Sequence, residues 1–131
     1  MERRLMLYLD SCVVIDYVER HPSFFARIKE QISAAETRTA VSDLTRLECL
    51  VQPLRQADAI RLKRFRLFFG APDLTVINMT PDVFDLAAEL RARHALKTPD
   101  ALHLAAAIEG GCDEFWTNDS RLDAAADAYL R

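Results

Sequence analysis

No apolar run in this chain approaches the roughly 20 residues that a bilayer-spanning helix requires, so a transmembrane segment is excluded. Arg3 and Arg4 precede a short apolar run, but no cleavage site follows it, and a secretory leader is not expected. Cysteine is scarce. Cys12, Cys49 and Cys112 are odd in number and lack the spacing of metal ligands, which argues against a disulfide framework or a thiolate metal centre. Small buried thiols in a reducing cytoplasm are the expectation. Lysine occurs only at Lys29, Lys63 and Lys97, so the basic residues are overwhelmingly arginine. Repeats, linkers and low-complexity tracts are missing as well. The 131 residues therefore read as one domain, 1–131, long enough to bury a core unaided.

What remains is a composition that is 50% hydrophobic and 28% charged, as in soluble globular proteins. A net charge of −3 argues against a uniformly basic surface. Its distribution matters more than its sum. Arg61-Leu62-Lys63-Arg64-Phe65-Arg66 is densely basic, and arginine presents a planar fork suited to phosphate. With Phe65, Phe68 and Phe69 interleaved, this stretch reads equally as a solvated helix face, a protein-contact surface or a nucleic-acid backbone track.

Short apolar runs alternate with longer helical patterns. Strands are expected at Leu5–Leu9, Thr37–Ser42, Leu74–Asn78 and Glu114–Thr117. Helices are expected at Ser11–Glu19, Pro22–Ala34, Asp43–Val51 (with Pro53 as terminator), Ala57–Phe69 (capped by Gly70), Pro81–Ala95 and Asp119–Tyr129. A further helix starts with Thr98 as N-cap and Pro99 in its first position, and runs to Gly110-Gly111. This alternation implies an α/β fold with a parallel sheet and helices on both faces.

Four acidic residues sit beside or within these apolar runs. Asp10 follows the first strand, Glu48 lies in Leu44-Thr45-Arg46-Leu47-Glu48-Cys49-Leu50, Asp100 opens an apolar helix, and Asp119 closes Phe115-Trp116-Thr117-Asn118-Asp119. Carboxylates beside core segments are costly unless solvated, paired or metal-bound. In an open parallel sheet, ligands gather at the carboxyl ends of strands, where Asp10 and Asp119 stand. Asp100, in the first turn of a helix, is favoured by the helix dipole. Gathered at one sheet edge, the four acids would repel one another without a cation, and all-oxygen donors suit Mg²⁺ or Mn²⁺. Metal-dependent phosphodiester chemistry is the leading expectation.

The flanks of these acids resemble the PIN-domain nucleases, specifically the VapC toxins of VapBC toxin–antitoxin modules. The similar segments are Tyr8-Leu9-Asp10-Ser11, Val41-Ser42-Asp43-Leu44-Thr45-Arg46-Leu47-Glu48, Lys97-Thr98-Pro99-Asp100-Ala101-Leu102-His103-Leu104-Ala105-Ala106-Ala107 and Phe115-Trp116-Thr117-Asn118-Asp119. Order and spacing agree over nearly the whole chain. The resemblance implies a three-layer α/β/α fold with a central, mainly parallel sheet of four to five strands. It also implies a Mg²⁺- or Mn²⁺-dependent endoribonuclease acting on transfer or other structured RNA. The implied partners are a VapB-type antitoxin that silences the enzyme and a second copy, giving a homodimer and, with antitoxin, a heterotetramer or larger. Asp10, Glu48, Asp100 and Asp119 are the implied catalytic and metal-binding acids, supported by Ser11 and Thr117. Two departures lie at the C-terminal edge. Leu122 stands where many relatives carry an aromatic residue, and the usual final strand is short or missing.

Asp10 and Asp100 are expected as direct ligands, with Glu48 and Asp119 acting through water or completing a second position. Each has a competing structural role: helix cap for Asp10 and Asp119, first-turn dipole partner for Asp100, solvated helix residue for Glu48. Asn118, next to it, can share the role of Asp119, and the hydroxyls of Ser11 and Thr117 suit either water orientation or capping. His103 reads as a packed helix-face residue and Trp116 as core. Asp16, Asp43, Asp123 and Asp127 read as surface or capping residues. An aspartate-nucleophile phosphatase needs a second Asp two positions after the first, and Cys12 occupies that place. A catalytically inactive PIN module that binds RNA or protein is the remaining alternative.

Overall fold

Strand β1 (Leu5–Leu9) is apolar because it lies between two other strands and both of its faces are covered. In the computed structural model, which describes residues 4–19, 29, 30, 33 and 36–130, four parallel strands form one sheet. β2 (Thr37–Ser42) pairs with β1 so that Leu7 faces Thr39 and Tyr8 faces Ala40. β3 (Leu74–Ile77) pairs with β2 at Val41–Val76 and Ser42–Ile77. β4 (Glu114–Trp116) lies on the other side of β1, with Phe115 beside Tyr8 and Trp116 beside Leu9. The order β3-β2-β1-β4 places the change of direction at β1, and every carboxyl end lies on one edge.

The alternation of side chains across the strands divides the core in two. Leu9 and Val41 point into a cluster with Val13 and Val14 of α1 (Ser11–Val18), Cys49 of α2 (Asp43–Arg55), and Phe65 and Phe69 of α3 (Ala59–Phe69). Tyr8, Ala40, Ile77 and Phe115 point the other way. They meet Val83, Ala87 and Leu90 of α4 (Pro81–His94), the apolar residues of α5 (Thr98–Glu109), and Leu122, Ala125 and Ala126 of α6 (Ser120–Asp127). Three layers result, α/β/α, as expected. Every residue from Ala101 to Ala107 is buried, so α5 is covered all round. Its small side chains let it sit close to the sheet. Gly110 marks the closest approach, because a Cβ there would lie 2.5 Å from Ile77 Cδ1.

Several boundaries differ from the sequence expectation. Pro53 does not end its helix, since α2 continues to Arg55. Proline removes a single amide donor, the ladder resumes with Gln56 N donating to Gln52 O at 3.0 Å, and burial of the ring offsets the loss. The next helix starts two residues later than expected, because Asp58 takes the N-cap and accepts from Arg61 N. Lys97, not Thr98, is the N-cap of α5, and Pro99 falls one position further in. The Thr98 hydroxyl is engaged by Arg91 Nη1 at 3.0 Å instead. The helix expected over Pro22–Ala34 falls almost wholly outside the described residues. Among the described residues no strand follows α6, and no helix is long and apolar enough to cross a membrane.

Candidate active site

Asp10 follows β1 and caps α1. It is 6% exposed, which demands partners for its charge. Ser11 N donates to Asp10 Oδ1 at 2.8 Å, and Thr117 Oγ1 donates to Asp10 Oδ2 at 2.8 Å. The amide of Asp119 donates in turn to Thr117 Oγ1 at 3.0 Å, so one hydroxyl ties the ends of β1 and β4 together. Cys12 Sγ lies 3.5 Å from Asp10 Oδ2. Burial, then the Asp10 charge, pushes its thiol up to about 11, so it remains protonated at neutral pH.

Glu48 reaches the same edge from α2. That helix starts in a capping box in which the Ser42 amide donates to Thr45 Oγ1 at 3.2 Å. Thr45 and Glu48, three residues apart, share a helix face. The Glu48 carboxylate accepts from His103 Nε2 at 2.5 Å. Burial opposes the Glu48 charge, but the hydrogen bond and attraction of His103, with a hydrogen bond from Ser11, outweigh it and hold the carboxyl below its ordinary value.

His103 and Asp100 share one face of α5 by the same three-residue spacing. His103 is 1% exposed, as a packed histidine should be, yet its ring is not a passive core group. Nε2 also lies 3.6 Å from Asp10 Oδ1, and Nδ1 is 2.7 Å from the Tyr8 hydroxyl. That hydroxyl lies 2.9 Å from Ser42 Oγ and 3.4 Å from Thr45 Oγ1. Burial drives the Tyr8 phenol well above its ordinary value despite the hydrogen bonds with Ser42 and Thr45, so it stays neutral. Tyr8 was not singled out in the sequence. The signal available was a buried tyrosine whose hydroxyl requires a partner.

The Asp100 carboxyl is raised above its ordinary value by burial, by the charges of Asp10 and Asp119, and by that of Glu48, against the opposing pull of His103. Asp10, Glu48 and Asp119 therefore all lie within electrostatic reach of Asp100. Asp119 is exposed and caps α6, accepting from Arg121 N at 2.9 Å and Leu122 N at 3.3 Å. Its competing structural role is thus present alongside its electrostatic one. Asn118 is drawn toward α1, with Nδ2 donating to Asp16 Oδ2 at 2.8 Å. Trp116 is half-buried at the edge of the α1–α3 core, and its Nε1 donates to Glu114 Oε1 at 3.2 Å.

Donor atoms of Asp10, Glu48 and His103 lie within 4.8 Å of one another, a spacing that can hold an ion. The carboxylates suit a hard divalent cation, and beyond the effect of burial the upward shift of Asp100 includes a repulsion by neighbouring acids that such a cation would relieve.

The PIN-domain family model matches residues 7–128. Among solved structures the chain is similar to VapBC2 from Rickettsia felis bound to a DNA fragment from their promoter, with a TM-score of 0.78 and 16% identity, covering 97% of this chain and 98% of that chain. It is similar to VapC20 of Mycobacterium tuberculosis, a sarcin–ricin loop cleaving toxin, with a TM-score of 0.75 and 16% identity over 91% and 94% of the two chains. A toxin–antitoxin complex from Klebsiella pneumoniae gives 0.69 and 23% over 88% of each. These likenesses are of fold. No curated protein matches significantly. The family match runs from β1 through α6 and takes in every acid of the sheet edge, so the chain belongs to the PIN-domain family.

Proposed function

We propose that this chain is a VapC-type toxin, a Mg²⁺- or Mn²⁺-dependent endoribonuclease that hydrolyses phosphodiester bonds in transfer or other structured RNA. The observation that carries this reading is the convergence of Asp10 and Glu48 on His103 at the carboxyl edge of the sheet, with Asp10, Glu48 and Asp119 all within electrostatic reach of Asp100. When bound, a divalent ion supplies an acidified water and neutralises charge on the phosphate. Asp10, Asp100 and Glu48 would hold it, with Asp119 acting from the rim. Without a cation, these carboxylates repel a phosphate backbone, so a polyanionic substrate suits only the neutralised site. Ser11 and Thr117 fix the carboxylates of Glu48 and Asp10 by hydrogen bonds.

A VapB-type antitoxin is the proposed partner, and the toxin is proposed to act as a homodimer that forms a heterotetramer or larger assembly with it. Exposed apolar surface supports a protein partner. Leu47, Val51 and Leu54 form a stripe along α2, beginning beside Glu48, and are 59%, 37% and 56% exposed.

The test is cleavage of a structured RNA by the purified chain with Mn²⁺, with EDTA, and with Asp10→Asn. Cleavage is expected with Mn²⁺ alone, and to fall to background in the other two. Cleavage that survives EDTA or Asp10→Asn would overturn the metal reading. An inert wild-type protein would favour the binding-only module.

A further inference from the structure

Two buried hydroxyls, a phenol and an imidazole form a continuous path from the start of α2 to the Glu48 carboxylate. Ser42, Tyr8 and Thr45 are fully buried and His103 is 1% exposed, so no water competes for these bonds. Thr45 Oγ1 already accepts from the Ser42 amide, which leaves its hydroxyl hydrogen free to donate to Tyr8. The neutral phenol either donates to His103 Nδ1 or accepts from it. In the first arrangement the hydrogen of the neutral ring lies on Nε2, and the Glu48 carboxylate, which can only accept, selects that tautomer from 2.5 Å away. An Nε2 that donates to a carboxylate has no lone pair for a metal.

We propose that His103 is a positioning residue rather than a metal ligand. Tyr8, backed by Ser42 and Thr45, locks the His103 ring so that Nε2–H orients the Glu48 carboxylate for a divalent cation. The proposal rests on the reading of Asp10, Glu48 and Asp100 as ligands and assigns a role to two residues outside that set. The carboxylate keeps unused lone pairs for an ion while its orientation is set in advance. Partners of this kind, behind a ligand, typically contribute 10- to 100-fold in metal affinity.

The experiment is Mn²⁺ binding followed by electron paramagnetic resonance, with no RNA present. His103→Leu is expected to weaken Mn²⁺ by roughly 10-fold or more. Tyr8→Phe, which removes only the hydroxyl, should weaken it in the same direction but less. His103→Gln retains an N–H donor and should recover part of the loss. Spin-echo spectra of the Mn²⁺-loaded wild-type protein should lack a directly bound nitrogen. A bound nitrogen, or unchanged affinity in folded His103→Leu and Tyr8→Phe proteins, would overturn the proposal while leaving the nuclease reading intact. If His103→Leu does not fold, Tyr8→Phe and the wild-type spectrum decide the matter. A wild-type protein that binds no Mn²⁺ overturns both.

Discussion

Asp100 is held above its ordinary carboxyl value first by burial and then by the charges of Asp10 and Asp119, which sets the sign of its pH dependence. A carboxyl raised on folding binds its proton more tightly in the native state. Between its ordinary and its raised value, the native state carries more protons than the unfolded one, so stability falls as pH rises through that window. Asp100→Asn should abolish this contribution and raise the melting midpoint of the metal-free protein at neutral pH. The gain should be small, because Asp100 is partly exposed and solvent screens its charge. Melting curves at pH 4 and pH 7, with and without Mg²⁺, check this. A midpoint unchanged or lowered by Asp100→Asn at pH 7 would mean that charge repulsion does not govern the site. That these acids come near one another was legible in the sequence, because each stood beside or within an apolar run where a carboxylate is costly. The environment of His103 was not. Its spacing from Asp100 placed both on one helix face, but only the packing of α5 against β1 and α2 brings the ring to Tyr8 and Glu48.

The elements themselves were read closely where periodicity was strong, and less well where a single residue set the boundary. Thr37–Ser42 begins and ends where expected, and Leu5–Leu9 likewise, because β-branched or apolar runs in a buried parallel sheet admit little slippage. Pro53 and Thr98 misled for a shared reason, since local cap and breaker rules yielded to a tertiary contact, burial of the ring in one case and Arg91 in the other. Ala95 shows the same tension in its backbone. It ends α4 in the left-handed region, at φ 53, where a Cβ is strained. Ala95→Gly should therefore stabilise the protein by about 0.5–1 kcal/mol, a rise of a few degrees in Tm. At Gly110 the opposite holds. A methyl group there meets Ile77 and the Ala106 carbonyl, and Gly110→Ala should cost about 1–2 kcal/mol. Thermal denaturation of both variants tests the two signs together, and equal signs would contradict this account of the backbone.

At the scale of the whole molecule, the acidic edge and the apolar stripe of α2 are adjacent but physically independent. Glu48 faces His103, whereas Leu47, Val51 and Leu54 project to solvent at positions separated by four and three residues, along one face of the same helix. On the proposed reading, an antitoxin arm would pack apolar side chains on this stripe and place an Arg or Lys among Asp10, Glu48, Asp100 and Asp119. There the cation would form charge-assisted hydrogen bonds in place of the metal. Two consequences separate these contributions. Because the arm's cation and the metal compete for the same carboxylates, raising Mg²⁺ should weaken the complex, and changing that cation to Ala should restore RNA cleavage. Leu47→Asp or Leu54→Asp should act differently. Both side chains project to solvent whereas Glu48 turns to His103, so Mn²⁺ affinity and cleavage by free toxin should stay at wild-type levels. Each substitution removes an apolar contact of about 1.5–3 kcal/mol, or roughly 10- to 100-fold in antitoxin affinity. Titration calorimetry of the complex at low and high Mg²⁺, with each variant, reads both terms. Full-strength binding by Leu47→Asp and Leu54→Asp would remove α2 from the interface. Insensitivity to Mg²⁺, together with full inhibition by an arm lacking its cation, would show that silencing does not proceed through the acidic edge.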